Sequence, residues 1–223
     1  MCGRFTLHHT ADEVASQFGV QQTLFPLQPR YNIAPSQPVA VVLEEAGVRC
    51  LDAYRWGLVP FWAKDPRIGS RMINARAETL AEKPSFRAAL VRRRCLIPAD
   101  GFYEWKKEGK ARRPYHIRLR DGAPFAFAGL YEEWQAPDGA PLRTCAVITV
   151  EPNNLMAAIH NRMPAILPLE AQAVWMDPAL KNSQDLLRLL TPYPDGEMEA
   201  YSVSTRVNVP TFDDPACIQP ESP

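Results

Sequence analysis

The sequence predicts an α+β fold: a β-rich single domain with short peripheral helices. Three observations lead there. Candidate strands follow one another through the middle of the chain instead of alternating with helices. Glu108-Gly109, Asp121-Gly122 and Asp138-Gly139 separate them at hairpin spacing, each pair suited to backbone angles that most residues avoid. Finally, 22 prolines are scattered along 223 residues, which favours many short elements over long helices.

Thr10 followed by Glu13 forms a capping box, so a short helix opens there and runs to about Phe18. PVAVVL from Pro38 and VRCLDAYRW from Val48 read as strands joined through Glu45-Ala46-Gly47. Ser85 is expected to cap a helix bearing Phe86, Ala89 and Leu90 on one face and ending near the arginine run. Strands are expected at Cys95–Ile97, Phe102–Lys106, Tyr115–Arg120, Phe125–Tyr131 and Arg143–Val150. Asn154–Ile159 reads as a short helix delivering His160 at its end. Helices over Glu170–Met176 and Ser183–Leu190 and a strand over Glu199–Val203 complete the reading.

Composition narrows the function classes. No apolar run approaches the roughly 20 residues needed to cross a bilayer, and the first residues lack a signal-peptide layout, so a cytoplasmic protein away from membranes is expected. The formal net charge is zero, so any nucleic-acid binding needs a local basic groove and not a global field. Arginines do cluster: Arg71, Arg76, Arg87, Arg92, Arg93, Arg94, Arg112 and Arg113. Cys2, Cys50, Cys95, Cys145 and Cys217 are widely scattered, which argues against a disulfide framework or a structural zinc site. Cys95 and Cys145 lie in apolar runs, where inert buried thiols are expected. His8, His9, His116 and His160 have no metal-ligand spacing, and no phosphate-binding glycine loop is present. No cofactor and no metal are therefore expected.

Four segments carry groups able to do chemistry. The small second residue of Met1-Cys2-Gly3-Arg4 permits removal of the initiator methionine, which leaves Cys2 with a free α-amine and a thiol. The amine attacks an aldehyde to give an imine, and the thiol then closes a thiazolidine on the same carbon. An α-amine, with a pKa of about 7.7–8.0, is partly neutral at cytosolic pH, whereas lysine at about 10.4 is not. The plain alternative is a small residue in a frayed terminus. In Ile73-Asn74-Ala75-Arg76, an asparagine able to hold an amine or hydroxyl stands near an arginine able to take a phosphate; a turn with surface charges is the alternative. Glu104 lies in the apolar, aromatic stretch Gly101-Phe102-Tyr103-Glu104-Trp105, and turned inward it suits proton transfer. His160 follows an apolar helix and is flanked by polar residues; a satisfied structural histidine is the alternative.

Taken together and in order, MCGR, YNIAPSQ, WGLVPFW, INARAET, RRCLIPADGFYEW, FAFAGLYE, IHNRMP and VSTRVN closely resemble the SRAP family. Its members bear the historical name SOS response-associated peptidases and are understood as abasic-site processing proteins. The resemblance implies a domain over residues 2–210 with a C-terminal tail over 211–223, built on a β-rich fold with a basic channel for single-stranded DNA. It implies that Cys2 forms the thiazolidine with an abasic sugar, Asn74 stands beside the amino terminus, Glu104 is the acid/base carboxylate and His160 assists sugar opening. Arg4, Arg76 and Arg162 are implied as phosphate contacts, and Pro35 and Trp62 as residues that shape the DNA kink and shield the lesion. The implied partner is single-stranded DNA containing abasic sites, bound by a monomer.

Two other readings stand beside this one. An amino-terminal-nucleophile amidase or peptidase would use the same Cys2 thiol with its own amine as base. A non-covalent single-strand binder would use Trp56, Trp62 and Trp105 as stacking platforms.

Overall fold

A computed structural model describes residues 2–137 and 139–221. Met1 and its removal, Asp138 of the Asp138-Gly139 turn, and positions 222 and 223 of the expected tail lie outside the described residues. The amino-terminal part runs through strand β1 (Phe5–Leu7), helix α1 (Ala11–Phe18), β2 (Gln22–Thr23), β3 (Arg30–Ile33), β4 (Pro38–Glu45) and β5 (Val48–Trp56). The middle holds β6 (Asn74–Arg76), α2 (Arg87–Arg92), β7 (Arg94–Ala99), β8 (Gly101–Glu108), β9 (Ala111–Leu119), β10 (Phe125–Gln135) and β11 (Pro141–Val150). There follow α3 (Asn154–Ala157), β12 (Met163–Pro164), β13 (Ile166–Leu167), α4 (Leu169–Met176), α5 (Ser183–Arg188) and β14 (Met198–Ser202).

The larger sheet closes on itself. Strand β11 pairs with β10, β10 with β7, β7 with β4 and β4 with β5. Strand β5 then returns to β11 in parallel, through Thr144 opposite Arg55 and Cys145 opposite Trp56, giving a single domain with a barrel-like core. Every residue of β7 is buried, as is β11 from Thr144 to Val150, which explains why both read as unbroken apolar runs. Cys95 and Cys145 are accordingly buried free thiols, as are Cys2, Cys50 and Cys217. Against the barrel lies a second sheet, in the order β14-β9-β8-β1-β3.

Strand β1 is the element that fixes the amino-terminal segment. It lies between β8 and β3, with Phe5 opposite both Phe102 and Ile33. The Phe5 ring meets Trp56 edge-on at 5.1 Å and Phe127 at 5.7 Å, so it plugs the space between the sheets. Burying such a ring is worth about 1.5–3 kcal/mol, and each aromatic pair adds about 0.5–1.5 kcal/mol. Gly101, beside Thr6, has no room for a side chain: an added Cβ would lie 2.1 Å from the His116 ring.

Several expectations hold and others shift. The capping box of α1 is formed in both directions by Thr10 and Glu13. Strands β4 and β5 match the expected segments, with Ala46 and Gly47 both at positive φ in the turn between them. Ser85 is not the cap of α2. The chain enters that helix through a tight turn, Phe86 and Arg87 both donating to the Lys83 carbonyl, and Phe86 occupies the cap without a side-chain bond. Helix α3 stops at Ala157 because the amides of Ile159 and His160 both turn back to the Met156 carbonyl. Residues 211–221, expected as a tail, pack against β3. There Asp213 accepts from the Tyr31 and Asn32 amides at 2.5 and 2.9 Å and pairs with Arg30, and Cys217 is buried. Among the described residues, no helix is long and apolar enough to cross a membrane.

Candidate active site around Cys2

The path of β1 carries Cys2 inward. The Arg4 carbonyl accepts from the Tyr103 amide at 2.9 Å, so the segment before β1 keeps company with β8 as far as the Glu104–Trp105 stretch. Cys2 is fully buried, with its thiol 4.0 Å from the Arg4 carbonyl. Burial first, and the nearby Glu104 carboxylate second, push the thiol well above the usual cysteine range.

Asn74 reaches the same place from the opposite sheet. Strand β6 runs parallel to β11, with Asn74 opposite Val147 and Arg76 opposite Thr149. Alternation puts the Asn74 and Arg76 side chains on one face and buries Ala75 on the other. The Asn74 amide nitrogen donates to the Cys2 carbonyl at 2.7 Å. Its oxygen, Oδ1, is buried and has no hydrogen-bond partner among the described residues.

Glu104 projects inward from β8 and is 2% exposed. Desolvation pushes its carboxyl above the ordinary glutamate value, partly offset by nearby positive charge including His160. The His160 Nε2 atom lies 4.0 Å from Glu104 Oε2. On the other side of the ring, Nδ1 lies 3.1 Å from the Arg162 amide and 3.3 Å from the Arg162 carbonyl, so the Arg162 backbone fixes the ring with Nε2 facing Glu104. Cys2, Asn74, Glu104 and His160, drawn from four separate segments, thus lie together, with Cys2 and Glu104 buried and Asn74 and His160 half-buried.

The arginines are placed less uniformly. Arg76 is exposed. Arg162 grips Glu78 with two bonds, at 2.7 and 3.0 Å, and donates to the Thr149 carbonyl at 2.7 Å. Arg4 donates to Asn32 Oδ1 and to the Val207 carbonyl, each at 2.7 Å, and lies over the Trp105 ring. Arg94, from the clustered arginines, is buried as a clamp on the carbonyls of Leu90, Val91, Trp175 and Asp177. Pro35 is half-buried in the turn after β3, and Trp62 is exposed beside Phe61 in the loop after β5.

The stacking role read for Trp56 does not survive: the ring is fully buried, with its N–H bonded to the Ile73 carbonyl, and offers no face to a base. Trp105 is half-buried, with its N–H held by Asn208 at 2.7 Å. Sequence reasoning assigned no role to Asn32, which is fully buried, accepts from Arg4 and donates to the carbonyls of Val207, Val209 and Phe212. Its place in the YNIAPSQ string was the available signal.

Comparison with known sequences settles the family. The sequence profile described as SOS response associated peptidase (SRAP) matches residues 1–210. The chain belongs to the SRAP family. It is 50% identical over 222 residues to the abasic site processing protein YoqW of Bacillus subtilis, spanning 98% of this chain and 99% of that one. A more distant family member, the abasic site processing protein HMCES of Xenopus tropicalis, is 33% identical over 222 residues, spanning 86% of this chain and 66% of that one. The crystal structure of a protein from Bacteroides thetaiotaomicron superposes with a TM-score of 0.88 at 29% identity, covering 99% of this chain and all of the other.

Proposed function

We propose that the protein processes abasic sites in single-stranded DNA by bonding covalently to the sugar aldehyde through Cys2 once Met1 is removed. The names of its relatives support the lesion class. The observation that carries the chemistry is the grip of Asn74 on the Cys2 carbonyl at 2.7 Å, with buried Glu104 and the His160 ring close by.

While Met1 is attached, the Cys2 nitrogen is an amide and cannot attack. Its removal frees the α-amine, for which Asn74 Oδ1, without a hydrogen-bond partner among the described residues, would serve as an acceptor. The amine adds to the aldehyde carbon of the opened sugar to give a carbinolamine. Glu104, whose carboxyl burial pushes above the ordinary glutamate value, delivers a proton to the departing hydroxyl; water leaves and an iminium forms. The iminium's positive charge beside the thiol favours thiolate, offsetting the burial that otherwise keeps Cys2 protonated. Sulfur then adds to the same carbon, the iminium electrons return to nitrogen, and the thiol proton passes to Glu104. His160, whose Nε2 faces Glu104, serves ring opening of the sugar. The net change is one thiazolidine formed and one water released, and consuming the iminium removes the species from which β-elimination would cut the strand.

Exposed Arg76 on the Asn74 face suits a flanking phosphate, and Trp62 and Pro35 suit contacts to neighbouring nucleotides. Arg4 and Arg162 enter as phosphate contacts that also hydrogen-bond to Asn32, Val207, Glu78 and Thr149. Phe61, Arg87, Arg92 and Arg93 line one surface cleft, a second basic and aromatic stretch along which a strand could run. Binding should therefore weaken as salt rises. The peptidase reading is less well supported, because it needs the thiol to attack first and burial with Glu104 holds that thiol protonated. The test presents a single-stranded oligonucleotide with one abasic site, and separately a peptide library, to wild type and to Cys2→Ala. A denaturing gel should show a shifted DNA band for wild type alone and no peptide cleavage. A Cys2→Ala band of equal intensity would end the proposal.

A further inference from the structure

Just past strand β1 lies a second cluster of chemistry-bearing groups, roughly 20 Å of extended chain from Cys2. His8 and His9 lie beside Asp100, which closes the β7–β8 connection, and one ligand atom from each lies within 4.8 Å of the other two. The Asp100 Oδ2 atom is 3.5 Å from His8 Nδ1 and 3.0 Å from His9 Nδ1. A tetrahedral zinc ion holds nitrogen and oxygen ligands at about 2.0–2.2 Å, which sets neighbouring ligand atoms roughly 3.3 Å apart. The two spacings bracket that value.

The surroundings have the other features of a built site. Asp100 is 4% exposed, and its Oδ1 accepts from the Thr6 hydroxyl at 2.5 Å, which orients the carboxylate. The His8 ring is stacked on Tyr31 at 5.2 Å and on His9 at 5.4 Å. Both histidine side chains remain partly exposed, leaving an entry path and an open coordination position.

We propose that His8, His9 and Asp100 form a binding site for a divalent transition-metal cation of the zinc class. Two imidazole nitrogens and one carboxylate suit such an ion better than magnesium or calcium, which prefer oxygen. On binding, His9 Nδ1 gives up any proton shared with Asp100 to solvent, and the cation takes its place between the two. The ion pins the two residues that follow β1 to the β7–β8 connection, and hence steadies the strand that Cys2 precedes on the other side. The sequence reading expected no metal because the histidines are adjacent and their third partner lies 91 residues beyond His9; only the fold joins them.

The test uses tag-free full-length protein, stripped with a chelator and titrated with zinc against a chromophoric competitor. The expected result is one zinc per chain by native mass spectrometry, a zinc-dependent rise in Tm, and affinity at least roughly 10-fold weaker in His8→Ala and in His9→Ala. His8→Ala removes only a partly exposed ring, so it tests the site even where Asp100→Asn does not fold. Cys2→Ala should bind zinc as wild type does, and the cobalt-loaded protein should show no thiolate charge-transfer band. Zinc binding unchanged in the His8→Ala/His9→Ala double variant, loss of binding in Cys2→Ala, or no zinc taken up by wild type at micromolar free metal would each overturn the proposal.

Discussion

The segment from Cys2 to His9 carries a polar site at each end, and the two are built on opposite terms. At the far end, Asp100 is saturated: the Thr6 hydroxyl, the His8 and His9 amides and the His9 ring converge on its two oxygens. Burial alone would raise its pKa, but these hydrogen bonds and the His8 charge outweigh that and hold it below the ordinary aspartate value. At the Cys2 end the balance is reversed. Desolvation wins at Glu104 and raises its pKa, and Asn74 keeps a buried acceptor for which the described residues supply no donor. A carboxylate held by hydrogen bonds stabilises the fold and favours its ionised form, which suits holding a cation and not moving a proton. A desolvated one, beside an acceptor in need of a donor, gives up stability and is ready to move a proton.

If that contrast is right, substitutions at the two ends should act on different quantities. Glu104→Gln should slow adduct formation on abasic DNA by about 100- to 10,000-fold, measured by single-turnover gel assay. Its sign in stability is the informative part. A carboxyl whose folded pKa is raised loses stability as pH climbs past its unfolded value, so at neutral pH the glutamine variant should melt at the wild-type temperature or above it. Asp100→Ala should do the reverse. It strands the Thr6 hydroxyl and two amides, costing about 3 kcal/mol, or about 6–12 °C in Tm, while the folded fraction still forms adduct. Because the folded pKa of Asp100 is depressed, its contribution is present above the unfolded value of about 3.9 and is lost as pH falls through the folded value.

A smaller effect is expected from Asn74→Ala, about 10-fold on adduct rate, with a stability change of about 1 kcal/mol for one lost hydrogen bond. The last test leaves adduct formation aside and concerns His116, fully inside the fold between Thr6 and Tyr201. Burial lowers its pKa to about 3, so it stays neutral in the folded protein while an unfolded histidine protonates near pH 6.5. Its contribution is complete above that pH and declines toward pH 3, at a slope of about 1.4 kcal/mol per pH unit at most. In His116→Gln, denaturant titrations from pH 7 to pH 4 should show that one-proton slope removed.

The hairpin strands from β7 to β11 were legible in sequence because their signals are local: alternation, apolar runs and turn pairs all sit within the strands they define. Strands β1, β3 and β6 were not, since three or four residues carry no period and their register is set by β8 and β11, distant in sequence. The resemblance nominated Cys2, Asn74, Glu104 and His160 together, and their assembly could be seen only once β1 was threaded between β8 and β3. Charge alone was a poor guide to the arginines. Arg94 and Arg76 look alike in sequence, yet one is a buried clamp on four carbonyls and the other is exposed. Trp56 fails as a stacking platform for the same reason, because its exposure depends on how β5 closes the barrel against β11.

The central claim is that the Cys2 amine and thiol act on one carbon beside Asn74, Glu104 and His160. Intact mass spectrometry of the protein after incubation with an abasic single-stranded oligonucleotide tests it most directly. The account predicts a species with the mass of the chain without Met1 plus the oligonucleotide less one water, unchanged in mass by borohydride. An adduct that retains Met1, or one that borohydride reduces, would contradict it.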